Sequence, residues 1–406
     1  MPTTLRLSLR SLFRFFLLSM VSIHAFFLWT ERSQIRHGYP DFTVFYTAAR
    51  IIRMGLGSQL YLAATQFRVQ KGFTSTTWLG SLPYIHLPFE ALPFVPLTRL
   101  PYFCAFLLWD SLNFVVLILV AILVRRQSRT LAGLPTWESV LAMLSLYPVC
   151  ATFLQGQDAI VLLLFFALGY DALARHADGL AGLFFGLALI KYQFAIPLVM
   201  LLVLWGRWKV GLTFASTGIL LAAVSIGITG WRGLLAYPHF VLQIASSPGH
   251  GRTEPAFLPN LFGLIAGWDW LGLSPPVALA LLSMFSLALV GWTAHVGRRF
   301  TADGDWSGAF VLAILTAVLV SFQANGHDLT ILILPFALML DRCVPCNERT
   351  NWNWRLLGPS IPLLVSPFWM WLWFEGRRIN VLAVALLGLL FAFSTLRPSS
   401  RQALNV

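Results

Sequence analysis

Long uninterrupted runs of apolar residues are the feature that most limits what this chain can fold into. The runs recur along the 406 residues, of which 58% are hydrophobic and only 11% are charged. Soluble domains carry about 25% charged residues, so an ordinary soluble domain is excluded. A run of about 20 apolar residues is long enough for a helix to cross a bilayer. The runs lack the alternation of a transmembrane barrel, so we predict an all-α, polytopic membrane protein.

The apolar runs predict about twelve transmembrane helices joined by short loops. The predicted spans cover residues 12–29, 102–124, 137–153, 159–173, 180–205 as two helices, 211–228, 276–296, 309–322, 329–340, 356–374 and 381–396. Residues 180–205 are divided because Lys191 would be costly at the centre of a single span. Two short helices are therefore expected to meet at this lysine on the outer side. We treat residues 1–406 as one integral-membrane domain.

Basic residues beside the first two apolar runs predict the orientation in the membrane. Arg10 and Arg14 lie at the start of the first run, whereas Arg125 and Arg126 follow the second. Positive charges favour the cytoplasmic side, so both of these boundaries are placed there. Residues 31–100 then form a long extracytoplasmic loop, and both termini are cytoplasmic. The expected location is the inner (plasma) membrane.

The net charge of +12 comes from basic residues scattered beside the apolar runs. This distribution is typical of contacts with anionic lipids, so we expect membrane lipids and no nucleic acid as partners. We expect no metal cofactor, because the closely spaced Cys343 and Cys346 have no second pair and no neighbouring histidines. The sequence carries no signal for an oligomeric state.

Asp41 is the carboxylate whose surroundings are most distinctive. It follows Pro40, which cannot extend a helix backwards, and so it stands at a predicted helix start. Exposed amides favour a carboxylate there, so the local pattern favours a simple N-cap, and a catalytic carboxylate is the alternative. Apolar residues recur at helical spacing from Phe42 onward. They predict an amphipathic helix that lies in the outer interface.

Three polar turns are predicted on the same outer side of the membrane. They are residues 155–158, 191–193 and 325–328, which include Gln157, Lys191, Gln193 and His327. Lys191 is either a binder of an anionic headgroup or a lysine that snorkels from a helix end. His327 is either a base or phosphate donor, or a structural histidine. We therefore expect the functional residues to lie in these turns, at the outer ends of the helices.

Several short blocks together resemble glycosyltransferase family 87 of the GT-C superfamily, the polyprenol-phosphate-mannose-dependent mannosyltransferases. The blocks are Asp41-Phe-x-Val-Phe-Tyr-x-Ala-Ala-Arg50 with Gly55 and Leu60-Tyr61, residues 88–101, Tyr147-Pro148 with Gly156-Gln157, residues 181–191, and His327-Asp328-Leu with Pro335. They occur in family order across most of the chain. One departure lies in Ile85-His86-Leu87-Pro88, where the family has an aromatic-Pro-Pro run.

The resemblance implies an inverting enzyme that moves a sugar, most simply mannose, from a polyprenyl phosphate donor to a lipid or glycan acceptor. It implies that Asp41 is the general base and that Lys191 and His327 neutralise the phosphate. Gln157, Gln193, Arg50 and Tyr46 are the further residues expected to bind substrate. No cofactor is implied beyond the donor substrate itself.

Two other functions remain open from the sequence. A membrane transporter or lipid-linked-sugar flippase would line its path with Lys191, Asp110 and Asp158. It would be expected to place its charges near the bilayer midplane and to show internal repeats. A polysaccharide ligase or polymerase would share the architecture but use a different acceptor.

Overall fold

The computed structural model is helical throughout the part of the chain that it describes, which is residues 3–75, 82–246, 254–267, 272–343 and 353–398. No strand occurs within these ranges. An apolar environment favours this outcome, because a helix satisfies its backbone hydrogen bonds within one segment. The predicted all-α fold is confirmed for these residues.

The described residues form nineteen α-helices. In the first half they are α1 (Thr3–Thr30), α2 (Arg32–Arg36), α3 (Phe42–Arg53), α4 (Ala63–Gln70), α5 (Tyr102–Arg125), α6 (Arg129–Ala132), α7 (Thr136–Leu144), α8 (Tyr147–Gln155), α9 (Ala159–Ala174) and α10 (Asp178–Leu187). In the second half they are α11 (Tyr192–Leu204), α12 (Trp208–Ser246), α13 (Leu261–Ala266), α14 (Pro275–Ala302), α15 (Trp306–Val320), α16 (Ile333–Cys343), α17 (Trp354–Leu364), α18 (Ser366–Trp371) and α19 (Leu382–Ser394). The 3-10 turns Pro88–Phe94, Ala188–Lys191 and His327–Leu332 contribute to the site described below.

Within the described residues, 5 helical segments are long and apolar enough to cross a membrane, or up to 7 if each of two bent helix pairs counts as one span. The segments are Arg10–Thr30, Tyr102–Arg125, Asp178–Leu204, Trp208–Ile244 and Pro276–Ala302. The bent pairs are α7 with α8, at 74°, and α17 with the segment after it, at 53°. Three further apolar helices are shorter. These helices support a membrane protein, but the predicted number of twelve spans is not confirmed.

The segment Asp178–Leu204 does not run straight, although its length and composition suit a single span. A straight helix of this length would separate its ends by about 40 Å. Arg207, which lies just beyond α11, instead donates a hydrogen bond of 2.8 Å to Asp178 at the start of α10. The two ends therefore lie side by side. The short helices α10 and α11 meet at Lys191, as the sequence predicts.

The predicted helix after Asp41 is present as α3, but it is not a surface helix with one buried face. Nine of its 12 residues are buried, among them Phe42, Phe45 and Tyr46. These rings pack with Tyr84 and Phe94 in an apolar cluster of their own, separate from the main bundle core. The position of this helix in an outer membrane interface is therefore not confirmed.

Ion pairs lie at the end of the bundle opposite to the turn at Lys191. Asp178 pairs with Arg207, whose guanidinium lies over the ring of Trp306 at 4.0 Å. The neighbouring Asp305 pairs with Arg342 near the end of α16 at 2.6 Å. We call the pairs Asp178–Arg207 and Asp305–Arg342 the arginine end of the bundle. The turn at Lys191, with the residues that contact it, is the lysine end.

Candidate active site

A cavity of about 760 Å³ lies at the lysine end. Its polar lining includes Asp41, His86, Glu90, Gln155, Gln157, Lys191, Gln193, Asn325, His327 and Asp328, and its apolar lining includes Phe27, Phe257, Phe322, Trp373 and Phe374. Ligand pockets commonly have about 300–1,000 Å³, so this volume lies within the range of ligand-binding sites. The three polar turns that the sequence singled out all contribute to the lining.

The Asp41 carboxylate turns towards the cavity and not towards its own helix. Asp41 stands at the N-cap of α3, but its side chain makes no capping hydrogen bond. Oδ2 instead accepts a hydrogen bond of 2.7 Å from Nε2 of Gln157, and the backbone N–H donates to Gln155 at 3.2 Å. Asp41 is partly exposed, whereas the eight residues after it are buried. The simple N-cap interpretation is therefore wrong for the side chain.

The turn that carries Gln157 is fixed tightly in place. Gly156 has a φ of +60°, and a Cβ atom there would lie 2.8 Å from Cβ of Phe42, so only glycine fits. The indole N–H of Trp109 donates to the Gly156 carbonyl at 3.0 Å, and Nδ2 of Asn113 donates to the Gln157 carbonyl at 3.1 Å. Helix α5 thereby positions the amide that holds Asp41.

Lys191 is buried, with 5% of its surface exposed, and it faces three acceptors. Its Nζ lies 3.4 Å from Oε1 of Gln157 and 3.5 Å from a carboxylate oxygen of each of Asp158 and Asp328. A charge-assisted hydrogen bond normally measures about 2.7–2.9 Å, so each contact is long. The anionic partners expected of this lysine are thus present within the protein. The sequence placed both aspartates on the outer side but did not pair them with Lys191.

His327 and Asp328 complete this charged group. Nε2 of His327 lies 3.5 Å from Oδ1 of Asp328, whose Oδ2 accepts a hydrogen bond of 2.8 Å from the N–H of Asn325. Burial opposes ionisation of Asp328, but Lys191 and the hydrogen bond from Asn325 favour it, and the pKa of this carboxyl lies below its ordinary value. Burial lowers the pKa of the His327 ring below its ordinary value. At neutral pH we therefore expect an ionised Asp328 beside a neutral His327.

His86 and Glu90 are cavity residues that the sequence interpretation left out of the site. Nδ1 of His86 shares a hydrogen bond of 2.9 Å with Oε2 of Glu90, whose Oε1 accepts from the N–H of Leu87 at 3.1 Å. Burial lowers the pKa of His86 to about 4 and raises the pKa of Glu90. The sequence feature that could have indicated this pair is a histidine and a glutamate four residues apart, on either side of Pro88, at the start of a helical turn.

The structure brings Asp41, Gln157, Lys191, Gln193 and His327 together, but it places two other proposed residues elsewhere. The Tyr46 hydroxyl donates to the Leu100 carbonyl at 2.8 Å, inside the aromatic cluster. The Arg50 guanidinium lies 5.6 Å from the centre of the Phe73 ring. Neither side chain belongs to the cavity lining, so we leave both out of the site proposed below.

In the part of the chain that the structure describes, no three His, Cys, Asp or Glu side chains come together in a way that could hold a metal ion. Asp158 and Asp328 both contact Lys191, so a cation already lies between these two carboxylates. Cys346, the partner in the Cys343 pair considered above, lies outside the described residues.

Comparison with protein-family models identifies the family of this chain. The family model described as Glycosyltransferase family 87 matches residues 84–321, more than half of the chain. This range includes Gln157 and Lys191, whereas Asp41 lies before it and His327 after it. No curated protein and no solved structure matches the chain.

Proposed function

We propose, from the premise that the chain belongs to glycosyltransferase family 87, that this membrane protein transfers a sugar from a polyprenyl phosphate carrier to a lipid or glycan acceptor. Mannose is the sugar to test first. The reaction is a single displacement with inversion, and it takes place at the extracytoplasmic face of the inner membrane. Both termini are assigned to the cytoplasm. Membrane lipids surround the apolar helices, and the cavity at the lysine end receives both substrates.

The observation that carries this proposal is the placement of the Asp41 carboxylate. One oxygen is held by Gln157, while the other has no hydrogen bond among the described residues. A carboxylate that is fixed on one side and open on the other can accept the proton of the acceptor hydroxyl. The acceptor oxygen then attacks the anomeric carbon as the carrier phosphate leaves with the bonding electrons. No second carboxylate is needed as a nucleophile.

Lys191 and His327 are the groups that we assign to the carrier phosphate. The contacts of Lys191 measure 3.4–3.5 Å, so the ammonium has no close hydrogen bond to lose when a phosphate oxygen approaches. Positive charge and an N–H donor fixed beside the leaving group stabilise the negative charge that develops there. The carboxylates of Asp158 and Asp328 balance Lys191 before the donor binds, and the phosphate then competes with them. Gln193 contributes a further polar group to the wall.

The direct test is release of polyprenyl phosphate from radiolabelled polyprenyl-phosphate-mannose by the purified protein in lipid nanodiscs, with total lipid extract as acceptor. We expect Asp41→Asn to lower turnover by at least about 100-fold, because general-base catalysis contributes roughly 10²–10⁴-fold. Asp303→Asn is the matched control, since Asp303 is exposed at the end of α14 and outside the cavity lining. It should leave turnover near the native level.

Two outcomes would contradict the proposal in different ways. Equal turnover by the native chain and Asp41→Asn would remove Asp41 from catalysis but keep the reaction. If the native chain releases no polyprenyl phosphate from any of several polyprenyl-linked sugars, the donor class is wrong. Transport of the lipid-linked sugar would then be measured in sealed vesicles.

A further inference from the structure

We propose that His86 binds the sugar of the lipid-linked donor through Nε2, and that Glu90 is the residue that positions its ring. This inference rests on the function proposed above and adds to it a contact that selects the sugar. The hydrogen bond between Nδ1 of His86 and Glu90 is the only one that the His86 ring makes among the described residues. Because the ring lines the cavity, Nε2 is the ring nitrogen left for a ligand.

The His86 ring is held on several sides and has little freedom to turn. The ring centroid lies 4.7 Å from that of Phe45 and 5.4 Å from that of Tyr84. The carbonyl of His86 also accepts a hydrogen bond of 2.7 Å from the Tyr61 hydroxyl. A ring that is already oriented loses little conformational entropy when it binds a ligand, which favours a specific contact.

The chemistry of His86 suits a sugar hydroxyl. Burial lowers the pKa of His86 to about 4, so the ring is neutral at neutral pH. A neutral imidazole can hydrogen-bond a hydroxyl from either tautomer, because a hydroxyl both donates and accepts. A sugar presents several hydroxyls, and a neutral donor–acceptor group on a rigid ring is what such a ligand requires.

The position of His86 relative to Lys191 favours the donor sugar over the acceptor. The hydroxyl of Tyr192, one residue after Lys191, lies 3.3 Å from that of Tyr237. Tyr237 in turn donates a hydrogen bond of 3.2 Å to the carbonyl of Ile85, the residue before His86. We assign Lys191 to the carrier phosphate, and the donor sugar is bonded covalently to that phosphate. We therefore expect the sugar next to the lysine, and His86 lines the same cavity.

Binding of two probes to the protein in nanodiscs, without acceptor, tests this inference. The probes are polyprenyl-phosphate-mannose and polyprenyl phosphate without sugar, and intrinsic tryptophan fluorescence reports their Kd. His86→Asn keeps an amide near Glu90 but removes the group at the Nε2 position. We expect it to weaken binding of the mannose-bearing probe by about five- to tenfold and to leave the bare phosphate unchanged.

Three more variants separate a binding role from a structural one. His86→Gln places an amide near the position of Nε2, and we expect it to restore most of the lost affinity. Glu90→Ala should weaken binding of the mannose-bearing probe to the same extent as His86→Asn. Glu90→Gln can retain both hydrogen bonds of Glu90, to His86 and to the N–H of Leu87, and should bind as the native chain does. Thermal unfolding of each variant checks that it is folded.

Failure of the His86 assignment and failure of the proposed donor would give different results. If the native chain binds both probes equally well, or if His86→Asn weakens both equally, His86 does not bind the sugar and the donor class still stands. If the native chain binds neither probe, the proposed donor is wrong, and the assignment of His86 is withdrawn with it.

Discussion

The two ends of the bundle both contain buried charges, but they pair them differently. At the arginine end, Nη2 of Arg342 lies 2.7 Å and 2.6 Å from the two carboxylate oxygens of Asp305, and Arg207 lies 2.8 Å from Asp178. At the lysine end, the shortest contact of Lys191 measures 3.4 Å. The arginine end has hydrogen bonds of normal length. The lysine end holds opposite charges near each other, but at distances longer than a normal charge-assisted hydrogen bond.

This difference shows how one chain uses buried charge for two purposes. Guanidinium groups form short, directional bonds with carboxylates, so the arginine end can fix the positions of helices. An ammonium surrounded by three acceptors at longer distances keeps its electrostatic field available for a ligand. In the proposed function, the cavity at the lysine end receives water and substrate, which can complete the contacts that the protein leaves long. We therefore assign the arginine end to the fold and the lysine end to the proposed reaction.

The largest expected effect comes from breaking a pair at the arginine end. Arg342→Met leaves the Asp305 carboxylate, which is 1% exposed, without its main counter-charge. Removal of one partner from a buried pair costs about 3–5 kcal/mol. We therefore expect a clear fall in the midpoint of thermal unfolding in nanodiscs, with turnover per folded molecule nearly unchanged.

The control for this pair is the double variant Asp305→Asn/Arg342→Met. It removes both charges but keeps a residue that can accept the hydrogen bond of 3.0 Å from the N–H of Gly308. We expect most of the lost stability to return, because no unpaired charge remains buried. Equal destabilisation by the single and double variants would show that the pair does not act as a unit.

A smaller effect, and one on activity more than on stability, is expected from Lys191→Met. The variant removes the cation assigned to the carrier phosphate, so turnover should fall about 100-fold, which corresponds to about 2.7 kcal/mol. The unfolding midpoint should fall less than for Arg342→Met, because the long contacts contribute less and water in the cavity can solvate Asp328. Lys209→Met, in an exposed lysine away from the cavity, is the matched control. A midpoint loss as large as that of Arg342→Met would mean that both ends serve the fold alike.

The sequence predicted the helices and the polar turns because their signals are local. Proline, glycine and charged residues interrupt apolar runs at the positions where the chain turns, and Lys191 is such a position. The partners of Lys191 were not predictable, because Asp158 and Asp328 lie in two other turns and one sequence does not indicate which turns meet. His86 was missed for a related reason, since its spacing to Glu90 indicates a local pair but not that the loop reaches the cavity.

Helix geometry explains why Tyr46 and Arg50 lie away from Asp41, although they share its motif. Successive residues of an α-helix differ by about 100°, so Tyr46 is rotated by about 140° from Asp41 and Arg50 by about 180°. Val44, which is rotated by about 60° from Asp41, does line the cavity. The helical spacing therefore predicts that Tyr46 and Arg50 lie on a different face from Asp41. Their shared motif had suggested, wrongly, that all three line one site.

The smallest expected effect comes from a neutral hydrogen bond at the lysine end. Such hydrogen bonds fix this end of the bundle, whereas short ion pairs fix the arginine end. Asn113→Leu removes the hydrogen bond that Asn113 donates to the Gln157 carbonyl, and the side chain of Gln157 holds Asp41. We expect turnover to fall several-fold, which corresponds to a rise of about 1 kcal/mol in the activation free energy. Asn380→Leu is the matched control, because Asn380 is equally buried and donates to the Gly263 carbonyl at 2.8 Å. Both variants should lower the unfolding midpoint by similar amounts, but only Asn113→Leu should lower turnover per folded molecule. Equal turnover by the two would mean that α5 does not position Asp41 and that Gln157 keeps its place without Asn113.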